Sequence, residues 1–167
     1  MSKLNGKVAF VTGGSRGIGA GIVKRLAKDG ADIAFTYLLS EEKAENLIRE
    51  IESYGVKAIA LKADTGNPEE LKDAVQRTIE KFQTIDILIN SSGLFVTRAI
   101  DEENPDRNQF QKQWNVNVHG AVEAVRMILP HMKDGGSIVN IGSTGGSRSA
   151  YPGIGDYAAT KAALAAY

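Results

Sequence analysis

Five short apolar runs, each separated from the next by an amphipathic stretch, constrain this chain more than any other feature. The runs are Lys7–Thr12 (KVAFVT), Ala31–Tyr37 (ADIAFTY), Lys57–Ala63 (KAIALKA), Ile85–Ser91 (IDILINS) and Ser137–Ser143 (SIVNIGS). Near-continuous apolar strands are what a parallel sheet covered on both faces requires, and intervening helices supply the cover. Because such crossovers are right-handed, a doubly wound α/β sheet is the economical solution. The helical stretches carry their own punctuation. Ile18, Ile22, Val23, Leu26 and Ala27 recur at helical spacing before Gly30, a C-terminal cap. Ser40 stands at the start of a helix whose buried face is Ala44, Leu47, Ile48 and Ile51, closed by Gly55. Asn67-Pro68-Glu69-Glu70 is a helix start with a capping side chain, a proline at the first position and an acid three residues on. Val96–Gln113 reads as a polar loop with a short helix. Val116–Met132 reads as one long helix with Val118, Ala121, Val122, Val125, Ile128, Leu129 and Met132 inward, and Ile154–Tyr167 as the last. No repeat or linker divides residues 1–167, so one domain is expected.

The balance of 20 basic and 20 acidic side chains leaves no net charge, which argues against nucleic acid or an anionic membrane as partner. Without cysteine there is no disulfide, thiolate nucleophile or cysteine metal site, and two distant histidines, His119 and His131, do not make a metal centre. No apolar run approaches a membrane span, and a cytoplasmic location is the default expectation.

Between the first run and the first helix lies Thr12-Gly13-Gly14-Ser15-Arg16-Gly17-Ile18-Gly19. Glycines there allow a tight turn and close approach of a ligand, and the helix N-terminus beyond offers free N–H groups and a positive dipole end to a pyrophosphate. Glycine for helix–sheet packing alone is the plainer reading; the placement directly after strand one favours phosphate binding. At the end of strand two, Thr36-Tyr37-Leu38-Leu39-Ser40 has no carboxylate to hold a ribose 2′-hydroxyl, and Arg16 is available to a 2′-phosphate.

The segment LNGKVAFVTGGSRGIG resembles the opening of short-chain dehydrogenases/reductases of the classical type. Three further segments agree in order: Asn90-Ser91-Ser92-Gly93 after strand four, Asn117 in the long helix, and Ser143 followed by Tyr157-x-x-x-Lys161. The resemblance covers essentially the whole chain. It implies a Rossmann-like sheet of order 3-2-1-4-5, NADP in preference to NAD, and a cofactor site built from Gly13, Ser15, Arg16, Gly17, Ile18, Gly19, Tyr37, Ser40, Asp64, Thr65, Asn90, Ser91, Ser92 and Gly93, with Tyr157 and Lys161 at the nicotinamide end. It also implies hydride transfer between NADP(H) and a small carbonyl or alcohol substrate, and a dimer or tetramer formed through the two last helices. Arg16 as a solvated surface residue and Asp64 as a turn residue are the plainer alternatives.

Tyr157 and Lys161 lie four apart in a helical stretch, hence on one face with Cβ atoms about 5–6 Å apart. A free tyrosine ionises near pH 10, and bringing a phenol to about 7 takes roughly 4 kcal/mol of differential stabilisation, which a fixed ammonium in a partly dry site helps supply. By the resemblance, Tyr157 exchanges a proton with the substrate oxygen, Ser143 hydrogen-bonds that oxygen, Lys161 also binds the nicotinamide ribose and Asn117 holds a water chain. For Ser143 a strand-end cap is the alternative, with Thr144 and Ser147 as rivals; for Asn117 it is a bond to helix backbone. The family more often has Asn-Ala-Gly where this chain has Ser91-Ser92-Gly93. Members also continue through two further strands, whereas this chain stops six residues after Lys161, which suggests a piece of a longer protein and an open sheet edge at the fifth strand. A dinucleotide-binding fragment without turnover is the competing reading. An epimerase or dehydratase is disfavoured by the glycine spacing.

Overall fold

The structure is a computed structural model that describes residues 3–103 and 106–167. The first two residues of the N-terminal segment, and positions 104–105 of the polar stretch, lie outside the described residues. Five strands, β1 (Val8–Thr12), β2 (Asp32–Tyr37), β3 (Ala58–Lys62), β4 (Ile87–Asn90) and β5 (Ser137–Asn140), form one parallel sheet in the order β3-β2-β1-β4-β5. The helices are α1 (Gly17–Lys28), α2 (Glu41–Glu52), α3 (Pro68–Phe82), α4 (Arg107–Trp114), α5 (Gly120–Ile128) and α6 (Gly155–Ala166). This is the doubly wound α/β architecture that the alternation of apolar runs predicts.

The sheet separates two cores. On one face Ala9, Val11, Ile33 and Phe35 pack against Val23 and Ala27 of α1 and Leu47 and Ile51 of α2. On the other, Phe10, Ala34 and Leu88 pack against Leu71, Ala74 and Val75 of α3 and Ala124 and Ile128 of α5. All five residues of β1 are buried because both faces are covered. A side chain such as Phe10 or Phe35, fully removed from water, contributes roughly 1.5–3 kcal/mol. The edge strand β5 differs: Ser137, Ile138 and Val139 are exposed.

Local chemistry explains the boundaries. Asn67 caps α3 by accepting from Glu69 N–H at 3.1 Å, and its amide donates to Glu70 at 2.7 Å. Gly30 and Gly55 follow α1 and α2 with φ of +95° and +87°, the left-handed conformation that ends a helix. Ser40 stands at the N-cap position of α2, but its side chain makes no capping bond; Glu41 and Glu42 occupy the positive first turn instead. Ile18, expected on the buried face of α1, is exposed, because the first turn of that helix faces the cleft described below.

The expected helix over Val116–Met132 is altered in two ways. It begins earlier, as α4 at Arg107, and a π turn over Asn115–His119 joins α4 to α5, with Gly120 N–H bonded to Asn115 O. Val118, Ala121 and Ile128 are buried as expected, Ala124 is buried in addition, Val122 is half-buried, and Leu129 lies exposed in a final 3₁₀ turn. Gly120 sits against the Thr65 carbonyl, where any Cβ would collide.

Candidate active site

The carboxyl ends of the strands open onto a cleft of about 780 Å³. In doubly wound sheets this is where ligands bind, at the point where strand order reverses between β1 and β4. The glycine-rich turn forms one wall. Gly13 and Gly17 have φ of +66° and +55°, and Gly19 lies so close to the Gly13 carbonyl that a side chain there would strike it. Two buried threonines hold the turn and its neighbour. Thr36 Oγ1 accepts from Gly13 N–H at 3.0 Å, and Thr12 Oγ1 accepts from both Ser91 N–H and Ser92 N–H at 3.0 Å. Neither threonine was singled out from sequence; a hydroxyl at or one residue before the end of each of two adjacent apolar strands was the available signal.

Past the turn, Arg16 stands at the N-cap position of α1 without a side-chain capping bond, and the first turn carries no acid. Its N–H groups and dipole end thus face the cleft without a competing anion. Arg16 is exposed and makes no ion pair among the described residues. Gly17 has open space where a Cβ would stand. Gly13, Ser15, Arg16, Gly17, Ile18 and Gly19 all line the cleft.

Tyr37 and Ser40 form the far rim, and burial together with the Glu41 carboxylate pushes the Tyr37 phenol above its ordinary range. Asp64 and Thr65 form the opposite rim. Asp64 accepts from Gly66 N–H at 2.9 Å, as a turn residue does, and also pairs with Lys112 at 3.9 Å. Thr65 shares a hydroxyl contact of 2.7 Å with Ser92. Ser91, Ser92 and Gly93 continue the floor. Asn90 lies beneath it, buried, its amide donating to Asn140 Oδ1 at 2.9 Å and to Ala121 O at 3.3 Å. It ties β4 to β5 and α5 without lining the cleft itself.

At the other end stand Tyr157 and Lys161, both on α6 and both in the cleft wall. Lys161 is almost wholly buried, with Nζ 2.7 Å from Ile141 O and 6.0 Å from the Tyr157 ring centre. Burial holds its ammonium below the ordinary lysine range. Phe95 meets the Tyr157 ring edge to face, centroids 4.6 Å apart. Asn117 falls within the π turn, a distortion that recurs at functional sites. Its Oδ1 accepts from Leu94 N–H at 2.7 Å, and its Nδ2 donates to Leu94 O at 2.9 Å and to Thr160 Oγ1 at 3.0 Å. Both amide hydrogens are thereby committed to holding the post-β4 segment against α6. Ser143 is exposed and accepts from Gly145 N–H at 3.1 Å, the cap geometry that was its plainer reading. It is outside the residues that line the cleft. No group of three or more potential metal ligands occurs among the described residues, and no described helix is long and apolar enough to cross a membrane.

The profile of the short chain dehydrogenases matches residues 7–167. The chain belongs to the short-chain dehydrogenase family. Among its relatives, an uncharacterized oxidoreductase of Methylorubrum extorquens is 41% identical over 143 residues, 86% of this chain and 57% of that protein. Versicolorin reductase of Emericella nidulans is 33% identical, with 97% of this chain and 61% of that protein covered. The chain thus spans about three fifths of the length of these relatives. Solved dehydrogenase structures superpose closely on it. A short chain dehydrogenase from Burkholderia cenocepacia in complex with NADP matches with a TM-score of 0.93 at 44% identity, over 97% of this chain and 65% of its own. A blue fluorescent protein from a metagenomic library in complex with NADPH gives 0.93 at 43%, over 97% and 66%. An NAD+-bound xylitol dehydrogenase gives 0.89 at 30%, over 98% and 63%.

Proposed function

We propose that the protein carrying this chain is an NADP(H)-linked oxidoreductase that interconverts a carbonyl and an alcohol. The observation that carries this reading is that one cleft holds the uncapped start of α1, with Arg16 beside it, at one end and Tyr157 with Lys161 at the other. The residues fit a dinucleotide phosphate. The open space at Gly17, the free helix terminus and the absence of a carboxylate between Thr36 and Ser40 suit a pyrophosphate and a 2′-phosphate. Arg16 would pair with the 2′-phosphate, Tyr37 and Ser40 would border it, and Asp64 and Thr65 would face the adenine. The floor of Ser91, Ser92 and Gly93, stiffened from below by Asn90, would run along the adenosine ribose. The two NADP complexes above, more similar to this chain than the NAD+-bound relative, support the same preference.

When bound, the nicotinamide supplies or accepts hydride at the substrate carbon. The chain's own part is the proton. In reduction the Tyr157 hydroxyl gives its proton to the carbonyl oxygen as the carbon receives hydride, and in oxidation it takes the proton back. Lys161, fixed by the Ile141 carbonyl, places a positive charge beside the phenolate that forms. Asn117 holds Leu94 and Thr160, and so holds Tyr157 against the cleft. Ser143 reaches the substrate oxygen only if its turn re-orients on binding. Substrates of the whole protein are small-molecule ketones, aldehydes or the matching alcohols. The test is NADPH oxidation by the full protein across a panel of such carbonyls. Oxidation that depends on the carbonyl supports the reading, and cofactor binding without oxidation of NADPH by any of them contradicts it.

A further inference from the structure

After β4 the chain runs along the cleft, and three alternate amides of this run are pinned. Leu94 is gripped at N–H and C=O by Asn117, Val96 N–H donates to Gln113 Oε1 at 2.6 Å, and Arg98 N–H donates to Gly153 O at 2.8 Å. Exposure alternates in step: Leu94, Val96 and Arg98 are half-buried, while Phe95 and Thr97 are exposed. Gln113 and Asn117 stand four residues apart, on α4 and the π turn that continues it, and both are closed to solvent. Two buried amides thus bracket one residue, Phe95. That ring is 55% exposed, lines the cleft and lies edge to face on Tyr157.

A buried amide side chain is retained where it satisfies a backbone group, because leaving the partner unpaired is unfavourable. Among the described residues, the partner of Gln113 is Val96 N–H, and its Nε2 has none. An apolar residue of equal length would fill the same space and leave the Val96 N–H unbonded. Asn117 would still hold Leu94, so the chain would stay in place up to Leu94 and loosen just beyond it, at Phe95.

We propose that Gln113 is a positioning residue that sets Phe95 as a flat apolar wall beside Tyr157, and that this wall favours carbonyl substrates with a ring body over small aliphatic ones. The proposal rests on the function above in one respect, that substrate reacts at the Tyr157 hydroxyl. A planar ring laid against the exposed part of Phe95 lies next to Tyr157, whose ring Phe95 touches. A short aliphatic ketone gains little from the same wall, so Gln113 affects the two classes unequally.

The experiment uses the full protein as wild type, Gln113→Met, Gln113→Glu, Phe95→Ala and the Gln113→Met/Phe95→Ala double variant. Steady-state rates with NADPH are compared for 1-tetralone and butan-2-one, and binding of 2′,5′-ADP, which reaches only the adenosine end, reports an intact fold. Gln113→Met is expected to lower the tetralone-to-butanone ratio of kcat/KM about tenfold, mainly through KM for tetralone, with 2′,5′-ADP binding unchanged. Gln113→Glu keeps an acceptor for Val96 and is expected to restore most of the ratio. In the Phe95→Ala background, Gln113→Met is expected to add less than about a twofold change, because the two residues act as one unit. An unchanged ratio in Gln113→Met, or independent multiplication of the two effects, would overturn the proposal. If the wild type reduces neither ketone, the substrate preference falls, while the proposed function is decided separately by the wider carbonyl panel. In that case the ¹⁹F spectrum of protein labelled with 4-fluorophenylalanine still decides the clamp: a Phe95 signal that Gln113→Met leaves unmoved overturns it, and one that shifts toward the exposed value upholds it.

Discussion

The two ends of the cleft are built on opposite principles. At the glycine-turn end, β1 and β2 are covered on both faces, and Phe10, Val11, Ile33 and Phe35 are wholly removed from solvent. At the Tyr157 end, β5 presents Ile138 and Val139 at 39% and 44% exposure, and α6 is the wall beyond it. One end is rigid because packing leaves it no alternative. The other is held by a few directed bonds: Lys161 to Ile141, Asn117 to Leu94 and Thr160, Gln113 to Val96. In the proposed function, the cofactor phosphates meet the end of the cleft built on the closed core, and the proton step falls to the end held by these directed bonds.

The largest expected effect tests the open end. Tyr157→Phe in the full protein should lower kcat by about 10²–10⁴-fold while leaving NADPH affinity within about twofold, measured by steady-state kinetics and calorimetry. A matching loss of affinity would mean that the two ends are not separable. Next, Phe35→Ala should destabilise the chain by about 3–5 kcal/mol in urea unfolding, whereas Ile138→Ala, at the exposed edge, should change stability by less than about 1 kcal/mol. Equal losses would break the contrast between the two ends.

Smaller effects follow from charge. Asp86 anchors the start of β1 through Val8 N–H and Lys7, each at 2.9 Å. Burial pushes its carboxyl up, but these two bonds outweigh it and leave the group below its ordinary range. A depressed folded pKa contributes stability above the unfolded value that is lost as pH falls through the folded one. Asp86→Asn should therefore flatten the acid limb of a stability–pH curve below about pH 4. For Lys161 the sign is opposite. Its folded pKa lies below the ordinary 10.5, so the unfolded chain holds the extra proton between the two values and stability rises with pH across that window. Lys161→Met should abolish that rise, and in the full protein the wild-type rate should fall on the alkaline side below the ordinary lysine range as the ammonium is lost.

Much of this contrast is legible in the residue pattern. The five strands, their sequence boundaries within two or three residues, and the glycine turn follow from apolar runs and glycine placement, since local packing dictates both. Of the candidate cofactor residues, those from Gly13 to Gly93 other than Asn90 line one cleft together with Tyr157 and Lys161. The π turn at Asn115–His119 was not legible, because the residue pattern carries no mark of one extra residue in a helix, and the Gly120–Thr65 approach beside it joins segments far apart in sequence. Gln113 and Phe95 were missed for the same reason. A glutamine in a polar stretch reads as solvated, and only the folded chain brings it to Val96 and removes it from water. Ser143 and Asn90 show the converse: their side chains are used in capping and in tying strands together, which spacing along a chain does not distinguish from a role in the cleft.

The most direct test of the account is calorimetric titration of the wild type and Arg16→Ala with NADPH and NADH. NADPH is expected to bind at least about tenfold tighter than NADH, with most of that gap removed in Arg16→Ala and NADH affinity unchanged. Equal affinity of the wild type for the two cofactors, or a preference for NADPH that survives Arg16→Ala intact, would contradict it.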